Sequence, residues 1–421
     1  MSNDVPTDYP LSAVPHSDRK GLLSTTLVLV GFTLFTATMF AGGKLASGFT
    51  FSELLWVVLI GNLLLGIYAA ILGYIAYRSG LNTLLMGRFC FGEWGSKLAD
   101  MILGFTQIGW YSWGVATIAI VLIKILGLPQ GWEIPLMVIF GLGFCVTAYI
   151  GYRGLEWLSR FAVPAMLIFI VISFIKGGED LGSWGKLFEL TPADPMTLAA
   201  GITVVFGTFV SGGTQATNWS RFARSGPIAI WATLGAFFVG NGLMVFTGAF
   251  GSLVYQQADV VDVMLAQGFV TLAVLMLFLN LWTTQDNTIY NFAVAGCNLL
   301  RTPNRKWVTL AGAAIGTVLA INGMYDMLIP YLILLGTFIP PIGGVIMADF
   351  WVRHKGQYPS LESVTLPAFN VQGLAAYVIA SAAAYTSPWI APLVGIVVAV
   401  VVYTVMVKLT ASSTLTAEAS S

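Results

Sequence analysis

The sequence predicts an all-helical protein that crosses a membrane many times, and three observations predict it. Hydrophobic residues fill 57% of the 421 positions and charged residues only 9%, against about 25% charged in an ordinary soluble domain. Apolar runs of roughly 20 residues recur along the chain, each long enough to cross about 30 Å of hydrocarbon. The breaks between them are short, and none leaves room for a separate soluble domain. Nineteen Lys and Arg balance nineteen Asp and Glu, so no basic excess points to nucleic acid.

The same counts exclude most membrane enzymes. The two histidines are His16, in the N-terminal tail, and His354, in a basic loop. An intramembrane Ser/His pair, an HExxH zinc site and a haem held by two helices are therefore excluded. Cys90, Cys145 and Cys297 stand far apart with no CxxC, which implies neither a disulfide framework nor a cluster site. The N-terminal stretch is polar, unlike the charged-then-apolar design of a cleaved signal, so the first span is expected to stay in the mature protein.

Taken in order, the apolar runs give twelve spans near 22–44, 52–78, 98–125, 133–152, 155–176, 196–220, 228–254, 263–292, 307–323, 327–350, 371–387 and 389–409. Residues 1–21 and 410–421 are left as tails and expected to be disordered, the last rich in Ser, Thr and Ala. Loop charge tests the count. With the N-terminus inside, only Lys44, Lys124, Lys176 and Lys186 of the nineteen basic residues fall outside. That is a strong positive-inside bias, and it places both termini in the cytoplasm.

Two of the spans are interrupted. In the first, Gly31-Phe32-Thr33-Leu34-Phe35-Thr36-Ala37-Thr38 precedes Ala41-Gly42-Gly43; in the sixth, Gly207-Thr208-Phe209-Val210-Ser211 precedes Gly212-Gly213-Thr214. Glycines and hydroxyls weaken a helix and free backbone groups that lipid cannot satisfy. For one such span, close packing through small residues is an equal reading. Two of them, an odd number of spans apart, describe an inverted repeat with its site between two discontinuous helices. The repeats are then 22–176 and 196–350, followed by two further spans over 371–409.

The third span holds Gln107, Trp110 and Gly114 on one face at about 100° per residue. An amide, a flat indole and a gap suit a planar, hydrogen-bonding ligand; a membrane-interface Trp is the plainer alternative, but Trp110 lies well inside the span. Tyr111 and Trp113 read as packing. In the eighth span, Asn280, Thr283, Thr284 and Asn287 fall within an arc of about 100°. Lipid penalises such a stripe, so it faces the interior. Hydroxyl and amide oxygens beside freed carbonyls of the first span suit a hard monovalent cation, though an interhelical hydrogen-bond seam uses the same residues. Asp286 serves a cation or proton pathway, or caps the polar end of its helix; the sequence leaves both open. Glu156, Arg153 and Arg160 read as topology and gating charges. Asp349, after Pro340-Pro341-Ile342-Gly343-Gly344, is expected as a solvated helix-end residue, with Arg221 or Arg224 as the alternative partner. Pro340 and Pro341 are expected to kink the tenth helix.

The stretches TQIGW at 106–110, GTFVSGGT at 207–214, NLWTTQDN at 280–287 and IPPIGGVIMADF at 339–350 resemble bacterial cytosine permeases of the nucleobase–cation symporter family. The resemblance runs from about Arg19 to the last span. It implies a leucine-transporter-like fold, two five-helix inverted repeats plus two C-terminal helices, working by alternating access in a bacterial inner membrane. It implies sodium-coupled cytosine uptake, with a small-molecule substrate, membrane lipid around the chain and no obligate protein partner. Carried over by position, Trp110 and Phe209 resemble the faces of an aromatic sandwich. Gln107 resembles the amide that reads the base edge, aided by Ser211 and Gly212. The sodium site resembles carbonyls of Gly31 and Leu34 with the side chains of Asn280, Thr283 and Thr284, Asn280 touching the substrate side as well. Gln285 departs from the Asn expected there, and it lies off the polar stripe. Stacking needs no charge, whereas an amino acid zwitterion demands compensation that this interior lacks. Two alternatives stand beside this reading: a proton-coupled importer of uracil, hydroxymethylpyrimidine or a hydantoin, and a channel or sensor without turnover.

Overall fold

The computed structural model describes residues 8–257, 259–324 and 334–418. Residues 327–333 of the expected tenth span lie outside the described residues, as do the outermost parts of both tails. Among the described residues the chain is helices joined by turns and loops, with one parallel bridge between Lys20 and Ala223.

Each expected span carries helix. Eight stretches are long and apolar enough to cross a membrane by themselves: Phe51–Ser79, Ser96–Leu126, Gln130–Ile150, Tyr152–Leu181, Leu198–Ser220, Gly226–Ala266, Leu334–Arg353 and Ala391–Thr410. The pair Leu22–Thr33 and Thr36–Gly48, bent by 56°, makes a ninth. Three more helices match expected spans without meeting that standard. Val270–Leu300 has the length, but its polar stripe lowers its hydropathy; Arg305–Ile321 and Val371–Thr386 are 17 and 16 residues long. Local chemistry sets the ends. Thr50 and Glu53 form a capping box before the second helix, and Gly80 ends it in the left-handed conformation at φ 72°.

The first half-helix break is held by close backbone approach. The half-helix Thr36–Gly48 lies against Asn241–Tyr255 of the seventh span. A Cβ on Gly42 would sit 1.9 Å from the Val245 carbonyl oxygen, and one on Gly248 would sit 2.0 Å from that of Met39. Only glycine permits this contact from either side. The third helix runs along the eighth, so the face bearing Trp110 meets the polar stripe. Outside, Trp157, Phe161, Ile168 and Ile175 are among the exposed apolar residues that suit a lipid-facing surface.

Two separate groups of ion pairs join segments far apart in the chain. In one, Lys124 pairs with Asp262 at 2.7 Å. In the other, Glu93 bridges Arg88 and Arg301, and Asp8 pairs with Arg305 at 3.0 Å with both side chains buried. This last pair corrects the expectation of a disordered N-terminal tail. From Asp8 to Lys20 the chain is docked: Arg221, fully buried, donates to the carbonyls of Asp8 and Tyr9, and Val14 N–H donates to Gly80. A buried guanidinium needs oxygen partners, and the tail supplies them. At the other terminus the last helix continues to Glu418, through residues expected to be disordered. One further expectation is corrected. Asp349 is not solvated and does not pair with Arg221 or Arg224; it is fully buried and accepts from Tyr403. The tenth span does bend at the prolines: its helix is interrupted at Ile339, and Pro340 and Pro341 start the next segment, Pro340–Ala348, at its first turn, where the missing donor costs nothing.

Candidate substrate and cation site

The two interrupted helices, the third helix and the eighth meet around one small cavity. Its lining residues are Phe32, Phe35, Gln107, Trp110, Thr208, Phe209, Ser211, Thr284 and Thr288, and its volume is about 10 Å³. That is room for about one water, so the rings are closed on one another. Phe35 stands edge-on to Trp110, with centroids 5.5 Å apart, and edge-on to Phe209 at 6.3 Å. A flat ligand between Trp110 and Phe209 therefore requires Phe35 to move aside.

Each wall has a local cause. At Phe209 the backbone leaves helical values, with φ −135° and ψ 18°, and this kink separates two helical pieces, the second ending at Gln215. The distortion turns the ring inward, against Phe32 at 4.8 Å and Phe237 at 5.8 Å. Gly212 does not line the cavity. It makes room behind it, since a Cβ there would lie 2.4 Å from the Phe209 ring and 2.7 Å from the Phe32 ring. Thr208 is fixed from outside by Asn241, whose amide donates to it at 3.0 Å and to Asn62 at 2.8 Å.

Among the residues lining the cavity, Gln107 has both polar atoms unpaired. It is 1% exposed, and neither its amide oxygen nor its amide nitrogen has a hydrogen-bond partner. An unpaired buried amide costs several kcal/mol by transfer measures, roughly 2–7, and native interiors rarely tolerate one. Here one donor and one acceptor direction face an aromatic cavity. That is what the edge of a heterocycle with adjacent donor and acceptor atoms would satisfy.

The break in the first helix produces the second set of polar groups. Phe35 N–H turns to the Thr33 carbonyl rather than to Gly31, which takes the Gly31 oxygen out of the helical ladder. Thr36 N–H, at the start of the new half-helix, donates to Asn280 Oδ1 at 2.9 Å. Thr284 Oγ1 donates to the Leu34 carbonyl at 3.4 Å. Thr283 Oγ1 instead bonds back to Leu279 at 2.8 Å within its own helix. Gly31 packs against the fifth helix, where a Cβ on it would lie 2.7 Å from Ser159 Oγ. The neutral oxygens of Leu34, Asn280 and Thr284 thus converge on the break. They suit a monovalent cation better than a divalent one, which prefers carboxylates. Among the described residues no group of three or more His, Cys, Asp or Glu is placed to hold a metal ion.

The structure brings Gln107, Trp110, Phe209, Ser211 and Thr284 to one cavity. It leaves Gly212, Gly31, Leu34, Asn280 and Thr283 off its lining. Asp286 is fully buried and accepts from Thr147 Oγ1 at 2.8 Å and from Asn287 at 3.0 Å, which places it in a side-chain network rather than at an exposed helix end. Four residues escaped sequence reasoning. Phe32, Phe35 and Thr288 line the cavity, and the buried carboxylate of Asp259 accepts from Thr36 Oγ1 at the break. A threonine four residues beyond Thr284 carried a readable signal; a phenylalanine in an apolar run carried none.

A larger cavity of about 490 Å³ opens beside the site, lined by Phe40, Lys44, Met196, Gly207, Thr337 and Tyr385 among others. Gly207 borders Thr208 of the small cavity.

Comparison with known proteins gives three kinds of match. A family model described as permease for cytosine/purines, uracil, thiamine, allantoin matches residues 13–417. The cytosine permease of Escherichia coli (strain K12) is 37% identical over 393 residues, covering 93% of this chain and 92% of that protein. Among solved structures, Mhp1, a nucleobase-cation-symport-1 family transporter in a closed conformation with bromovinylhydantoin bound, superposes with a TM-score of 0.85. Its identity is 18%, over 97% of this chain and 96% of that one. The inward facing conformation of Mhp1 gives 0.81 at 19% identity, over 96% and 94%. A Na+-coupled sialic acid symporter gives 0.65 at 12% identity, over 93% and 90%. The fold is the leucine-transporter-like one that the resemblance implied.

Proposed function

Because this chain belongs to the family of permeases for cytosine/purines, uracil, thiamine and allantoin, we propose that it imports cytosine together with sodium across a bacterial inner membrane. It is a membrane transporter and not an enzyme. The single observation that carries the choice of a nucleobase is Gln107, a buried amide with both polar atoms unpaired, facing a cavity of aromatic rings. Trp110 and Phe209 hold the base through its faces, Gln107 reads its edge, and Ser211 adds a hydroxyl. The faces give affinity that every flat ring shares, and the edge gives the discrimination.

Sodium is assigned to the break between Leu22–Thr33 and Thr36–Gly48, with oxygens from Gly31, Leu34, Asn280, Thr283 and Thr284. Neutral oxygens cannot readily carry a proton. The two proposed repeats, 22–176 and 196–350, place one interrupted helix each beside the site, and rocking between them exposes it alternately. Both termini lie in the cytoplasm in this reading. The positive-inside bias supports that orientation. A second reading, proton coupling, has one observation in its favour: the Asp259 carboxylate is buried at the break and bonded to Thr36. Uptake of radiolabelled cytosine into proteoliposomes tests both. Accumulation above equilibrium driven by an inward sodium gradient is expected. Uptake that persists in choline and collapses with an uncoupler would transfer the coupling role to Asp259. No concentrative uptake of any base under either gradient would remove the transporter assignment of this site.

A further inference from the structure

One contact between the third and eighth helices has no part in the site as described. Gln285 follows Thr284 and is fully buried. With its amide turned so that donor meets acceptor, Gln285 directs its nitrogen at the backbone carbonyls of Trp110 and Tyr111, each 3.2 Å away. Those carbonyls sit inside the helix Ser96–Leu126, so the amide uses lone pairs that the helical ladder leaves free. Space for it comes from Gly114, one turn beyond Trp110. A Cβ built on Gly114 would lie 1.8 Å from the Gln285 amide, well inside any allowed contact. Thr284, the residue before, lines the cavity and donates to the Leu34 carbonyl.

We propose that Gln285 is a positioning residue that ties the Trp110 ring to the cation side of the eighth helix, with Gly114 as its steric partner. The proposal rests on reading Trp110 as a wall of the base site and Thr284 as a cation ligand. A closely packed interior moves as units rather than deforming smoothly. A cation that draws Thr284 and Leu34 together therefore shifts the adjacent Gln285, and the two hydrogen bonds carry that shift to the backbone under Trp110. Linkage makes the effect mutual: sodium tightens the base by the same factor by which the base tightens sodium. The plainer role for such an amide is a satisfied interhelical seam. A seam lowers stability when cut but leaves the linkage between base and sodium unchanged.

The test is equilibrium binding of radiolabelled cytosine to the purified full-length chain in sodium chloride and in choline chloride. Wild type is expected to bind more tightly in sodium. Gln285→Met keeps the side-chain length without the donors. It is expected to weaken binding in sodium about tenfold, about 1.4 kcal/mol, and to bring the sodium-to-choline affinity ratio down toward one. Gly114→Ala should reproduce that loss by displacing the amide. Adding Gln285→Asn to Gly114→Ala should relieve the clash yet leave the sodium-to-choline ratio near one, because the shorter amide no longer reaches the two carbonyls. An equal loss in both salts means a seam and overturns the proposal, as does a harmless Gly114→Ala. If Gln285→Met does not fold, Gly114→Ala with and without Gln285→Asn carries the same comparison. Wild type that binds no pyrimidine in either salt removes the underlying reading and this inference with it; an unaltered salt ratio in the variants removes the inference alone.

Discussion

At Leu34 and Phe35 the first helix stops, bends by 56° and starts again at Thr36. At Phe209 the sixth helix is kinked, and a second helical piece runs on to Gln215. The two stretches look alike in sequence, each a run of glycine, threonine and phenylalanine. Their chemistry differs in what meets each break: the first hands backbone groups to another helix, and the second sets a ring. Freed groups at the first are taken up from the eighth helix, Thr36 N–H by Asn280 and the Leu34 carbonyl by Thr284. At the second, the distortion mainly aims a ring, and Gly212 gives the ring room. One break thus supplies oxygens and the other a flat surface. The Phe32–Phe209 contact, with centroids 4.8 Å apart, joins them.

The sharpest way to break this contrast is at the ring wall. Trp110→Ala is expected to abolish measurable binding of every candidate base, since stacking is blind to ring substituents; one stacked face is worth roughly 1–3 kcal/mol. Gly212→Ala should come close behind. It forces a methyl into the Phe209 and Phe32 rings, and overpacking of this kind costs about 1–3 kcal/mol, up to about a hundredfold in affinity. Its signature is loss for all bases with the sodium requirement unchanged. A rise in the sodium requirement instead would show that the second break also serves the ion.

At the first break the expected effect is smaller and of the other kind. Asn280→Ala leaves the Thr36 N–H without its acceptor and removes an oxygen from the proposed cation site. The sodium concentration for half-maximal uptake should rise about tenfold, with cytosine affinity at saturating sodium little changed; stranding a buried group costs about 1–3 kcal/mol. Sodium titrations of uptake decide this. Loss of cytosine affinity that excess sodium does not restore would place Asn280 with the base and erase the division between the breaks.

The first break was legible in the sequence because lipid forbids it: glycines and hydroxyls in an apolar run need partners, and the polar stripe from Asn280 to Asn287 is where partners can be. Other parts were not. Phe32 and Phe35 carry no mark among apolar neighbours, and only the bend shows that they close the cavity. Gln285 lies off the stripe, and reasoning from one polar face assumes that the other faces meet lipid. The eighth helix is instead buried all round from Thr283 to Asn291, so a second polar face could form against Gly114. The docked tail was also out of reach. Asp8 becomes structural through Tyr152, Arg221 and Arg305, all far along the chain, and a polar N-terminal stretch gives no sign of that.

Gln107 and Thr283 give the two smallest effects, and they divide the site most finely. Gln107→Ala keeps the stack and removes edge recognition, so inhibition by cytosine should weaken by up to about tenfold. Competition with cytosine, uracil and 5-methylcytosine reads the selectivity, and equal loss for all three would make Gln107 a packing residue. Thr283 is subtler. Its hydroxyl hydrogen is committed to the Leu279 carbonyl at 2.8 Å, which leaves its oxygen lone pairs as the only part available to a cation. Thr283→Ser keeps that oxygen and should leave the sodium requirement where it was. Thr283→Ala removes it and should raise the requirement only a few-fold, less than Thr284→Ala, because the Thr284 hydroxyl points across the break to Leu34 whereas that of Thr283 points along its own helix. Sodium titrations of the three variants rank the two threonines. If Thr283→Ala proves the more damaging, the cation sits nearer the start of the stripe than the Leu34 carbonyl indicates, and the first break contributes fewer of its oxygens to it.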